Sequence, residues 1–306
     1  MGVAMIWVVL YHYQLKGPIS LITGHGFTGV DIFMFVSGLG LFMSMYRNNQ
    51  TSLFYKKRFI RIFPLYLCLG LLYELLKGDF SLKSYIWSYS TLAFWTNGNN
   101  NDFGWFIPGI IAIYIVFPFL FRTLFHKGID KTVLIVLISL LTFFIFYNSI
   151  FNSNLISDDH FLLLYRVPVF MLGTLVGYLI AYGKKGSFFL YLSALSLLFV
   201  IIHLFSGGNL RLWYMASTFL VPLLIIVFCW LFNHTKSWLY TWLGGVGNAS
   251  LEIFMIHLFP LMLWPKFMHE ISNMNRILVC IVACVVGVVI HKIIAMIKEP
   301  LSVKKQ

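Results

Sequence analysis

The chain has 306 residues, of which 60% are hydrophobic, 18% aromatic and only 10% charged, with a formal net charge of +12. Soluble domains carry about 25% charged residues and at most about half apolar ones, so a water-soluble enzyme is excluded. The 31 Phe, 16 Tyr and 9 Trp exclude a disordered chain. Continuous apolar runs such as 219–232 and 277–290 exclude a transmembrane β-barrel, whose strands alternate. What remains is an all-α, polytopic integral membrane bundle forming one transmembrane domain over 1–306.

In chain order, ten apolar segments are expected to span the membrane: roughly 2–15, 28–46, 59–76, 105–125, 131–151, 161–182, 187–206, 212–232, 238–264 and 276–297. Most reach the about 20 residues that a span requires; the first is short. Between the first two spans, Gly24, Gly26 and Gly29 spell GxGxxG. No strand precedes them, so they read as a turn and not as a dinucleotide fingerprint. The longest connection, about 77–104, carries Trp87, Tyr89 and Trp95 before a polar run and is expected to lie along the outer surface. In the ninth span, Gly244, Gly245 and Gly247 come without a P-loop lysine and read as a bend or a close packing contact.

The connections also set the orientation. With the N-terminus inside, 15 of the 22 Lys and Arg fall on the inner side and 6 on the outer, so both termini are expected in the cytoplasm. The same bias accounts for the positive charge without a nucleic-acid partner. Cys68, Cys229, Cys280 and Cys284 all lie in apolar runs with neither CxxC nor zinc-ligand spacing, which predicts small packing residues and no metal site.

Ionisable groups at membrane depth are costly and mark function. The topology places His12, Asp31, Arg166 and His257 in the outer half, and Arg58 and Arg61 at the inner start of the third span. A neutral imidazole takes a proton from a hydroxyl, and a nearby carboxylate orients it. Two arginines one helical turn apart hold phosphates by bidentate contacts. The pattern suggests a phosphate-bearing ligand inside and proton abstraction further out. Each residue also has a blander reading. His12 can be a satisfied buried histidine, Arg58 and Arg61 a positive-inside anchor, Glu252 a packing residue and His203 a structural one, and Arg166 can pair with Asp158 or Asp159.

Taken together, 8–12, 29–38 and 54–64 (ending in Lys56, Lys57, Arg58, Phe59, Ile60, Arg61, Ile62, Phe63 and Pro64) resemble the opening signature of the membrane-bound acyltransferase 3 family. Trp105-Phe106-Ile107 with Tyr114 and Pro118 is similar to its next block, and 166–173 and 250–257 to later ones. The resemblance runs in order along nearly the whole chain. It implies an O-acetyltransferase of the polysaccharide or sugar type, in a bacterial plasma membrane. Acetyl-CoA is the donor co-substrate, and the acceptor is a hydroxyl of an exported polysaccharide or lipid-linked glycan. It implies that His12 is the essential histidine and that the Arg58/Arg61 region contacts the CoA phosphates. In the corresponding scheme His12 is general base or transient acyl carrier and Asp31 orients it. Arg166 or His257 stabilises the oxyanion or positions the sugar, and Trp105, with Trp87 and Trp95, either stacks on sugar rings or, as the blander reading of most of them, anchors the chain at the membrane interface.

Two positions depart from the family pattern. An arginine usual about eleven residues before the histidine is replaced by Met1, so an in-frame arginine is expected upstream. Gly109 stands where some members carry glutamate. The rival reading is a transporter or flippase of a small solute or glycan. Interrupted helices in both halves would favour it, and a glycine-rich interruption is evident only in the ninth span.

Overall fold

The computed structural model describes residues 1–78, 80–97, 103–126, 158–183 and 210–303, with 138, 141, 142 and 201. All regular structure among them is helical: α1 Gly2–His12, α2 Ser20–Thr23, α3 Thr28–Arg47, α4 Thr51–Lys77, α5 Leu82–Tyr89, α6 Leu92–Asn97 and α7 Phe106–Phe121. After α7 comes a π-helical turn, Arg122–His126. There follow α8 Asp158–Leu164, α9 Val167–Ala181, α10 Leu210–Asn233, α11 Ser237–Asn248, α12 Ser250–Ile256, α13 Leu258–Leu263, α14 Pro265–Glu270 and α15 Asn273–Val303. Helices are what an apolar solvent demands, because each satisfies its own backbone groups.

Among the described residues four stretches are long and apolar enough to cross a membrane: Ser20–Arg47, Thr51–Lys77, His160–Ala181 and Asn273–Ile297. A fifth is the pair Ser237–Asn248 and Ser250–Leu263, bent by 65°. This is fewer than the ten expected. The segments 131–151 and 187–206, and His203, lie essentially outside the described residues. Two others are shorter helices, Gly2–His12 and Phe106–Phe121, while α10, Leu210–Asn233, has 24 residues. An apolar window counts residues beyond the helix end, and α1 shows why. It stops at His12 because Gln14 takes φ +48°, a left-handed conformation that cannot continue a right-handed helix. Rows of exposed apolar residues on α4 (Leu71, Leu72, Leu75, Leu76) and α15 (Leu278, Ile281, Val282, Val285) form faces suited to hydrocarbon rather than water.

The helices form two compact units. One comprises Met1–Val30, Leu65–Ser81 and Leu231–Gln306, the other Asp31–Pro64 and Leu82–Trp230. In the first, α1 packs against α11, α12 and α15. Gly2 lies against the carbonyl of Leu243 at one end of α1, and Tyr13 bonds His257 just past the other end, so α1 runs parallel to the α11–α12 pair. Gly26 and Gly29 press onto the backbone of Trp7 and Ala4 and onto the side chains of Tyr11 and Val8. The GxGxxG run is therefore a packing device. The bend in the ninth span comes at Ala249, two residues past Gly247, and Gly247 admits Met1 and Gly2. Gly247 thus provides the close packing contact, while Gly244 and Gly245 face open space.

In the second unit α3 and α9 cross at their backbones. A Cβ on Gly38 would overlap the carbonyl of Phe170; one on Gly173 would overlap the carbonyl of Phe35; Gly177 faces Phe42. Gly173 and Gly177 form a GxxxG pair, the small-residue spacing that lets helices approach closely. The partners advance together along both helices, so α3 and α9 are parallel. Because the obstructing atoms are backbone, Gly38→Val or Gly173→Val forces the helices apart. Overpacking costs about 1–3 kcal/mol or more, so either variant is expected to melt markedly earlier in detergent. Melting at the wild-type temperature would contradict the crossing.

Candidate active site

The first unit brings His12 and His257 together from opposite ends of the chain, with ring centroids 5.0 Å apart and planes at 68°. His12 is the last residue of α1, and its Nδ1 lies 2.9 Å from the carbonyl of Val8. His257 sits at the junction of α12 and α13 with Nδ1 3.1 Å from the carbonyl of Ile253. A carbonyl only accepts, so in each ring Nδ1 carries the hydrogen and Nε2 is left with the lone pair. The local fold thus makes each histidine a base at Nε2, its tautomer set by its own helix. His257 is wholly buried, and its Nε2 has no hydrogen-bond partner among the described residues. His12 is half-exposed and carries the ring of Tyr11 edge-on at 5.4 Å.

The second unit assembles another part of the expected set. Asp31, in the first turn of α3, is fully buried, and its Oδ1 is 3.0 Å from Nε of Arg166. Arg166 occupies the turn between α8 and α9. Its guanidinium lies 4.5 Å from the centroid of Trp105 and 4.4 Å from that of Tyr165, and Nη1 donates to the carbonyl of Leu162 at 2.8 Å. A planar cation between two aromatic faces with a carboxylate at its edge satisfies charge and stacking together, while Asp31 Oδ1 and Arg166 Nε form an ion pair without a well-aligned hydrogen bond. Among the described residues the carboxylate beside Arg166 is thus that of Asp31; the side chains of Asp158 and Asp159 lie outside them. The carboxylate of Asp31 has Arg166 at 3.0 Å, and the Nδ1–H of His12 meets the carbonyl of Val8.

Arg58 and Arg61 lie in the first half of α4. Arg58 stacks over Phe54 at 4.7 Å and faces Tyr114 of α7 at 6.0 Å; both arginines are half-buried. Phe54 is also a wall of a cavity of about 420 Å³ at the corner between α3 and α4, where Ser44, Arg47, Asn48, Gln50 and Lys57 supply the polar lining. This basin presents Arg47 and Lys57; Arg58 lies behind its aromatic wall.

Sequence reasoning missed three partners. His291 bonds the fully buried carboxylate of Glu252 at 3.0 Å. This packs α12 against α15, as the blander reading of Glu252 expected. His160 meets the carbonyl of Phe94 at 2.9 Å. Arg276, counted only as an outer charge, is buried and donates to the backbone at the end of α1. A histidine or arginine inside an apolar run is the signal common to His291 and Arg276. The cysteines are all free, with Cys280 and Cys284 buried and Cys68 and Cys229 exposed.

No curated protein and no solved structure matches the chain. A family model described as an acyltransferase domain matches residues 2–294, a span that includes both histidines, the Asp31–Arg166 pair and the α4 arginines. On that match, over an all-helical scaffold with membrane-length apolar helices, the chain belongs to the acyltransferase 3 family and is a membrane acyltransferase.

Proposed function

We propose that the protein transfers an acyl group, acetyl in the first instance, from cytoplasmic acyl-CoA to a sugar hydroxyl of a cell-surface polysaccharide or lipid-linked glycan, in a bacterial plasma membrane. The observation that carries this reading is the His12–His257 pair, with both Nδ1–H groups spent on backbone carbonyls. Nε2 of His12 removes the acceptor hydroxyl proton as the oxygen attacks the thioester carbonyl. The tetrahedral intermediate collapses with cleavage of the C–S bond, and the proton passes from His12 to the departing thiolate. Arg166, held by Asp31, and Trp105 are assigned to binding the acceptor, and Nε2 of His257, a lone pair, is suited to accepting a hydrogen bond from an acceptor hydroxyl. Arg58 and Arg61 hold the CoA phosphates, in reach of a corner already cationic through Arg47 and Lys57.

Helix directions support the proposed ten-span topology. The parallel course of α3 and α9 requires an odd number of crossings between them. The helices α4 and α7 supply two, and the apolar run 131–151 is proposed as the third. Parallel α1 and α11–α12 fit first and ninth spans that both run outward, with both termini in the cytoplasm.

The test is mass spectrometry of surface glycans from cells with and without the gene, fed isotope-labelled acetate. A labelled mass increment of one acetyl group that depends on the gene is expected, and its absence would refute the reading. For the donor end, the Arg58→Ala/Arg61→Ala protein is expected to insert normally and to bind acetyl-CoA at least about tenfold more weakly, from loss of charge-assisted contacts. Wild-type affinity in that double variant would return the two arginines to the anchor role.

A further inference from the structure

We infer that Arg276 and the left-handed Gln14 form a clamp that ends α1 immediately after His12 and fixes the paired histidines, making Arg276 a positioning residue for acyl transfer. The inference rests on the reading of His12 as the base.

Gln14 has φ +48°, a conformation that a residue with a Cβ adopts only when its surroundings impose it. Its side chain is exposed, so the imposing contacts are on its backbone. Nη1 of Arg276 donates to the carbonyl of Tyr13 at 3.0 Å and to that of Gln14 at 2.6 Å. One turn earlier on α15, Asn273 closes a reciprocal pair with Lys16, accepting from its N–H at 2.9 Å and donating to its carbonyl at 2.7 Å. The first turn of α15 therefore binds the backbone of three of the four residues that follow His12. Carbonyls at a helix C-terminus have no partner within the helix, and the partial negative charge there favours a cation. Arg276, 2% exposed, answers both conditions from a neighbouring helix.

The clamp reaches the second histidine through Tyr13, whose hydroxyl donates to the backbone carbonyl of His257 at 2.9 Å. Arg276 thus holds the backbone of Tyr13, and the side chain of Tyr13 holds the backbone of His257. The 5.0 Å separation of the imidazoles is defined at the end of α1 by a residue that touches neither ring.

The test uses the purified full chain in detergent, with acetyl-CoA as donor, a membrane glycan extract as acceptor and thiol release as the signal, alongside spectra of protein labelled with 15N-histidine. Arg276→Met keeps a long side chain and removes the donors. It is expected to lower kcat by about 10- to 100-fold, the effect of an ångström-scale misplacement. KM for acetyl-CoA should stay close to wild type, and the His12 and His257 signals should pass from single Nδ1–H tautomers to averaged ones. Should Arg276→Met not accumulate, Gln14→Ile serves. It keeps the arginine and opposes the left-handed turn with a β-branched side chain, and the same changes are expected. In whichever variant is measured, wild-type kcat or wild-type histidine signals would overturn the clamp. Full turnover in His12→Gln would sink the catalytic reading alone, the spectra still deciding the clamp.

Discussion

Replacing His12 by glutamine is expected to lower acyl transfer by about 10²–10⁴-fold, the usual contribution of a general base, with insertion and melting temperature nearly unchanged. Glutamine keeps a donor for the Val8 carbonyl that now receives Nδ1–H at 2.9 Å, but it cannot take up and return a proton. His12→Ala should be equally inactive. The companion substitution is His257→Leu. It removes a wholly buried ring nitrogen with no hydrogen-bond partner among the described residues. The Nδ1–H bond to the Ile253 carbonyl is also lost, but that carbonyl keeps the backbone N–H of His257, so no buried group is newly left unpaired and the variant should melt at or above the wild-type temperature while losing activity. Such an inverse relation identifies a group retained for function. Normal acylation in both variants would reduce the pair to packing residues, and so would loss of activity only through unfolding.

The largest expected effect on stability falls on Arg166. Arg166→Leu removes the cation 3.0 Å from a carboxylate of zero exposure, and breaking a buried ion pair from one side costs about 3–5 kcal/mol. Little folded protein should be recovered. Asp31→Asn combined with Arg166→Gln carries no lone charge and should recover much of the folded yield without recovering activity. Arg166→Lys should fall between them, because an ammonium keeps the charge but not the planar stack on Trp105 and Tyr165 at 4.5 and 4.4 Å. A stable Arg166→Leu protein would show that the pair contributes little to the fold.

Composition and apolar runs made the class legible, because a chain that is 60% hydrophobic and 10% charged has no other folded form. The rare polar residues within those runs marked the candidates for a site, since a charge in hydrocarbon needs a reason. Their pairing was not legible. Asp31 and Arg166 meet because Gly38 and Gly173 let two helices touch, and His12 meets His257 because Gly2 and Gly247 seat α1 on α11. In sequence these glycines look like any others, and the partner across a helix contact has no periodic signature. The contacts of Arg276 were not legible for a related reason. Near the end of a span, an arginine that caps a neighbouring helix and one that faces water look alike. The end of α1 was misplaced because the apolar pattern continues through Tyr13 and Leu15 while the backbone turns at Gln14.

The crossing of α3 and α9 imposes a rule of length. Asp31 stands seven residues before Gly38, and Arg166 seven before Gly173, each about two turns up a parallel helix. The helices work as matched rulers whose zero is the glycine contact and whose seventh mark carries the charge. A single insertion or deletion within either interval would turn its mark by about 100° and part the two charges, with no residue type altered. Intact spacing in 31–38 and 166–173, in contrast to free variation in the connections, is therefore the signature by which homologues sharing this charge pair can be recognised.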